Sequence, residues 1–208
     1  MAGREIFTLS PHRGTVIPSS ARRKHRTKDN LEAERGTSRS PTNLLLFVFL
    51  FIMSTPLSLS TRLREVLLNG KWIANTNFKE QLSGISWEQA IQKLGNLNTI
   101  AMLTFHINYY VAGLLNVFKG GKLEIRDKYS FDLPEIKSET DWNALVNDFL
   151  NNAEIFAKQV EQMDERMLGQ PFVDEKYGTY QRNIEGVIEH CYYHLGQVSL
   201  IRKISSSL

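Results

Sequence analysis

From Met53 onward the 208-residue chain predicts an all-α fold. Four stretches place apolar residues at helical spacing, and residues that start and stop helices bound each of them. Nowhere does apolar-polar alternation at period two persist beyond five residues. Four amphipathic helices with little else point to a four-helix bundle.

The first helix is expected over 57–69, with Leu59, Leu63, Val66 and Leu67 on one face and Asn69-Gly70 as its stop. A short helical piece at 77–83 follows. Ser86 then opens another as a capping box, with Gln89 three residues on and Gly95-Asn96 as terminator. The second long helix is expected over 98–118, with Asn98 as N-cap and Gly120-Gly121 at its end. Its seam is Leu103, His106, Tyr110 and Val117. The third is expected over 139–164 behind Ser138, with a stripe of Trp142, Leu145, Phe149, Phe156 and Val160. The fourth covers 180–204, with Ile184, Ile188, Cys191, Leu195 and Val198 facing inward. The link over 119–138 is longer than a bundle turn and permits a crossover. Its Tyr129, Phe131 and Pro134 predict that it packs against a helix.

The front of the chain is different in kind. Residues 1–52 hold 9 Lys and Arg against 4 Asp and Glu, whereas the remainder holds 16 against 18. The basic balance is therefore confined to the front, and the 53–208 domain carries no nucleic-acid footprint. Residues 1–43 lack any hydrophobic period and read as a disordered basic extension, with "RRKHRTK" at 22–28 as a solvated charge run. The run "LLLFVFLFIM" at 44–53 would make about 15 Å of helix, half a bilayer. It has the length of a signal-peptide core, but the segment before it is too long for an ordinary leader. The following "MSTPLSLSTRLREVLL" reads as a fresh start, so Met53 is the expected native initiator. A secretory leader cut near Ser58–Ser60 is the alternative. The single cysteine, Cys191, precludes an internal disulfide and fits a reducing compartment.

Chemistry concentrates in "IEHCYYHLGQV" at 188–198. His190 and His194 are four residues apart, so both rings lie on one helical face and can reach one metal ion. Cys191 stands where a helical zinc protease has its glutamate, which excludes that class. If the second and fourth helices face each other, His106 completes a three-nitrogen set. Each imidazole left unsatisfied in an apolar core would cost about 1–3 kcal/mol, and one ion would engage all three lone pairs. Three neutral ligands would also leave coordination positions open, as catalytic sites do. Spacing alone leaves a packing role for the pair open. Glu185, Glu189 and Gln197 are candidate ring-orienting partners. Cys191, three residues before His194, is a rival nucleophile, but its place in the apolar stripe reads as inert filling. The chain shows no phosphate-binding Gly-rich loop, dinucleotide fingerprint or serine nucleophile elbow.

The pattern H-x-x-x-H-x-G-Q at His190–Gln197, with "FHINYY" at 105–110 on an earlier helix, resembles the DinB-like superfamily of damage-inducible four-helix-bundle proteins. "IRDKYSFDLP" at 125–134 and "YGTYQRNIEGVIEHCYYHLGQV" at 177–198 are similar to a bacterial branch of it with no assigned activity. The resemblance spans nearly all of 57–204. It implies an up-down-down-up bundle and a divalent metal, zinc or nickel, on His106, His190 and His194. It also implies a cytoplasmic homodimer acting on a low-molecular-weight thiol and a small electrophile, as a thiol S-transferase, or else as a hydrolase. Neither nucleic acid nor membrane is an expected partner. The position before Gly196, often arginine in relatives, is Leu195 here, which removes an anion contact. A non-catalytic metal- or ligand-binding bundle is the alternative. Nucleic-acid binding through the basic front is a third reading, expected to be salt-sensitive.

Intact-mass measurement of the endogenous protein is expected to place its N-terminus at or just after Met53. A mass that includes the basic front would exclude this start.

Overall fold

The computed structural model describes residues 55–206. The basic front, the apolar run at 44–53, Met53, His12 and His25 lie outside the described residues. Among the described residues there are α-helices and two short 3-10 turns but no strand; Pro171 and Thr179 form one isolated antiparallel bridge. The helices are α1 (Pro56–Leu67), α2 (Phe78–Leu82), α3 (Trp87–Ile91), α4 (Ile100–Phe118), α5 (Glu139–Glu161), α6 (Glu165–Leu168) and α7 (Tyr180–Ser205). The long four are those expected from the periodicity.

Local chemistry sets the boundaries. The Thr55 hydroxyl accepts from the Ser58 amide, and Pro56 occupies the first turn of α1, where a missing N–H costs nothing. Ser86 and Gln89 form the expected reciprocal capping box on α3. Helix α4 starts one residue later than expected: Thr99, not Asn98, is its cap, accepting from the Met102 amide at 3.1 Å. Helix α5 stops at Glu161 rather than 164, because the Asp164 carboxylate caps the separate short helix α6. Both differences show a side chain two or three residues from its target amide outcompeting a neighbour of similar propensity.

Helices α1 and α4 each pack against both α5 and α7. The expected stripes face inward: Leu59, Leu63, Val66, Leu103, Phe149, Phe156, Ile188 and Leu195 are among the buried residues of one apolar cluster. Leu145 is only partly buried. Burial of each such side chain contributes about 1.5–3 kcal/mol. Polar contacts fix the register of neighbours. Ser60 donates to the Ala157 carbonyl at 2.8 Å inside the α1–α5 seam, and Asn152 donates to Asn108 at 3.0 Å between α5 and α4. Trp142 is buried, and its indole N–H donates to the Ile85 carbonyl at 3.0 Å. A cut at Ser58–Ser60 would remove the first turn of α1, including buried Leu59. Helix α4 has the length and hydropathy of a membrane span, but it is mostly buried and packs as a core helix.

The 119–138 link does pack on a helix, but Tyr129, Phe131 and Pro134 are all exposed, and of the three Phe131 stacks on a side chain of α4. It runs back along α4 in the opposite direction. Asn116 donates to the Lys122 carbonyl at 2.8 Å, and the Tyr109 hydroxyl bonds both the amide (2.9 Å) and the carbonyl (3.2 Å) of Arg126. Tyr110 donates to Asp127 at 2.9 Å, and His106 meets the Ser130 carbonyl. Gly113 is required midway: a Cβ there would stand 2.4 Å from a side-chain carbon of Ile125. Glycine costs a helix about 1 kcal/mol relative to alanine, and here it admits the link to direct contact with α4.

At the opposite end of the site-bearing helix, Arg202 donates to the carbonyls of Glu80, Gln81 and Ser83 at 3.0, 2.6 and 3.0 Å, satisfying the end of α2. Replacing Arg202 with alanine is expected to destabilise the protein by about 1–3 kcal/mol, read as a fall of several degrees in Tm by calorimetry.

Candidate metal centre

Helix α7 turns His190 and His194 to one face, and α4, packed against it, presents His106 to the same point. All three rings are buried, at 6–8% exposure. Their Nε2 atoms converge: His106 lies 3.1 Å and His194 lies 2.8 Å from His190. The structure therefore brings together all three residues named from the sequence, and their candidate ligand atoms lie within 4.8 Å of one another.

The partners of the outer ring nitrogens decide what those Nε2 atoms can do. His106 Nδ1 faces the Ser130 carbonyl at 3.3 Å, and a carbonyl only accepts, so Nδ1 carries the proton. His194 Nδ1 faces Gln197 Oε1 at 2.9 Å, and with the amide in this orientation Nδ1 donates to it. In neutral rings both Nε2 atoms then hold lone pairs, and both aim at His190 Nε2. That atom has at most one proton to give, so protein groups alone cannot satisfy both contacts fully. A divalent ion would engage the His106 and His194 lone pairs as they stand, with His190 carrying its proton on Nδ1. Ligands about 2.0–2.1 Å from a tetrahedral ion stand about 3.3 Å apart, so the two short contacts to His190 would lengthen by up to about half an ångström while His106 and His194, within 4.8 Å of each other, adjust to the same spacing. Three buried histidines at this spacing are compatible with a metal ion, and the donor set suits zinc and nickel alike.

Aromatic side chains fix the rings. Phe131 stacks on His106, with centroids 4.0 Å apart and planes 13° apart. Tyr110 stands edge-on to His106 and His190, and Tyr193 edge-on to His194. Of the three ring-orienting candidates, Gln197 meets the His194 ring. Glu189 pairs with Arg182, and Glu185 accepts from Gln181. Ser130, Phe131 and Asp127 escaped the site reading. Phe131 could have been suspected from its place in an aromatic link, whereas a backbone carbonyl such as that of Ser130 leaves no sequence signal. Cys191 is fully buried, and burial pushes its thiol well above the usual range, in keeping with inert filling.

Burial also sets the protonation state. It lowers His106 from about 6.5 to about 4, with the nearby His194 adding to the effect and the Ser130 carbonyl opposing it. It lowers His190 to about 3, reinforced by His194 and His106, and lowers His194, with Gln197 opposing. The rings are therefore neutral, in the form that binds metal, at any pH near neutrality.

No protein-family model, curated protein or solved structure matches the chain. The reading of the site rests on its geometry.

Because these histidines titrate lower in the folded than in the unfolded chain, the unfolded state binds more protons below about 6.5. Their contribution to stability is complete above that value and is lost as pH falls toward 4 and 3. Thermal unfolding of chelator-treated protein is expected to show a lower Tm at about pH 5 than at about pH 7.5, and His190→Gln is expected to narrow that difference. An unchanged difference in the variant would contradict the assignment.

Proposed function

We propose that the chain is a divalent-metal-dependent enzyme of the DinB-like type, an up-down-down-up four-helix bundle with His106, His190 and His194 as ligands. The observation that carries the proposal is the convergence of three buried ring nitrogens: His106 and His194 Nε2 both face His190 Nε2, while their outer nitrogens stand against the Ser130 carbonyl and the Gln197 amide oxygen. The reaction class is transfer of a low-molecular-weight thiol to a small electrophile, with hydrolysis as the other chemistry open to the same donor set. The bound ion, zinc or nickel, supplies Lewis acidity that lowers the pKa of a thiol or water at its open position. The chain's own residues would hold the ion, keep their rings neutral through burial, and orient them against Phe131 and Tyr110. Tyr110 keeps its proton, since burial and the bond to Asp127 push it up.

Two features support the remainder of the reading. The exposed Tyr193, Leu200 and Ile204 on α7 form an apolar stripe suited to a homodimer. The lone buried cysteine suits a cytoplasmic location.

Metal analysis of the purified full chain by mass spectrometry is expected to find about one divalent ion per chain, lost in His190→Ala. Chelation is expected to abolish thiol transfer, and added zinc or nickel to restore it. Failure of both proteins to take up either metal would leave the histidines as hydrogen-bonded core residues and the chain as a non-catalytic bundle.

A further inference from the structure

His190 and Tyr110 also line a cavity of about 210 Å³ between α4, α7 and the link. Its walls are apolar: Leu114 from α4, Leu123 and Ile125 from the link, Val187 from α7, and Phe172 from the segment before it. Two of the polar residues on the wall have side-chain partners. Asp127 accepts from Tyr110 at 2.9 Å. Both amide protons of Asn183 go to the carbonyls of Tyr177 and Thr179, at 2.8 Å each. Arg126 is exposed to solvent, and its backbone is held by Tyr109. Away from Arg126, which is at the solvent-exposed side, the walls are apolar, so an apolar occupant would lose little on entry. Size narrows the class further. An apolar cavity of about 150 Å³ takes benzene, so this one takes a single aromatic ring with one or two further carbons.

We propose that this cavity binds the aryl or short branched alkyl group of a substrate whose head group reaches the ion on His106, His190 and His194. The inference rests on the metal reading and adds the substrate class: a small arylalkyl thiol or its equivalent. Gly113 belongs to the same device, since only its missing Cβ lets Ile125 form the cavity wall against α4.

The test uses the full chain loaded with zinc, with metal content measured on every sample. Calorimetry compares benzyl mercaptan with 2-mercaptoethanol, which offers the same thiol without a ring. Benzyl mercaptan is expected to bind about tenfold tighter or better, as burial of one ring predicts. Val187→Phe, which fills the cavity from α7, is expected to erase that preference while zinc stays at the unsubstituted level. Should that variant fail to fold, Leu123→Trp fills the cavity from the more exposed link and is expected to do the same. Equal affinity for the two thiols, or a preference that survives a folded filling variant, overturns the inference and leaves the metal site standing. Failure of the unsubstituted chain to bind zinc overturns both.

Discussion

The bond between His106 Nδ1 and the carbonyl of Ser130 is the constraint on which the site depends. A histidine ring has two nitrogens, and whichever is protonated outside leaves the other free inside. Without an outer acceptor His106 could turn its proton toward His190 and close an ordinary hydrogen bond. With it, that proton is engaged on the wrong side. Gln197 imposes the same choice on His194. A pair of hydrogen-bonded core histidines would have needed neither constraint.

That carbonyl is delivered by the link, and the link is held by α4. Contacts at 106, 109, 110, 113 and 116 recur every three or four residues, so they form one face of the helix. As α4 advances the contacts move back along the link, from Ser130 at His106, through Arg126 and Asp127 at Tyr109 and Tyr110, to Lys122 at Asn116. The helix therefore supplies a ligand on its buried seam and, beside it, the anchors for the segment that orients that ligand. The same segment contributes Phe131 to the ring stack and Ile125 to the cavity wall. Site and pocket share one mechanical support.

Much of this was legible in the chain. The stripes of α1, α4, α5 and α7 are strongly periodic, so burial could be assigned residue by residue; all five residues of the α7 stripe are buried. The spacing of His190 and His194 fixes a shared face before any tertiary contact is known. His106 was reachable only by assuming that two distant helices meet, since no local pattern ties it to the others. What stayed hidden has a common cause. The Ser130 carbonyl belongs to the backbone, and the choice of Gln197 over Glu185 or Glu189 depends on rotamer and on competing partners such as Arg182 and Gln181. The displaced caps, Thr99 for Asn98 and the early stop before Asp164, turn on one residue of register, which propensity does not resolve.

The electrostatics of the proposed centre point in one direction. Three imidazoles contribute no charge, so an ion they hold would keep its full charge in surroundings that burial has made poorly polarisable. Asp127, joined to the cluster through Tyr110, already accepts that residue's proton and lies beyond the ring nitrogens. A hydroxide formed from bound water, or an anionic head group brought in from outside, would balance the charge. An apolar cavity directly beside His190 suits such a ligand, because its tail would be buried and its charge cancelled in the same event. The combination that makes the empty cluster costly, buried neutral nitrogens with mismatched lone pairs, is thus the one that would favour an ion together with a thiolate. Ion and substrate would then stabilise each other's binding, a coupling that a closed site built from charged ligands would not need.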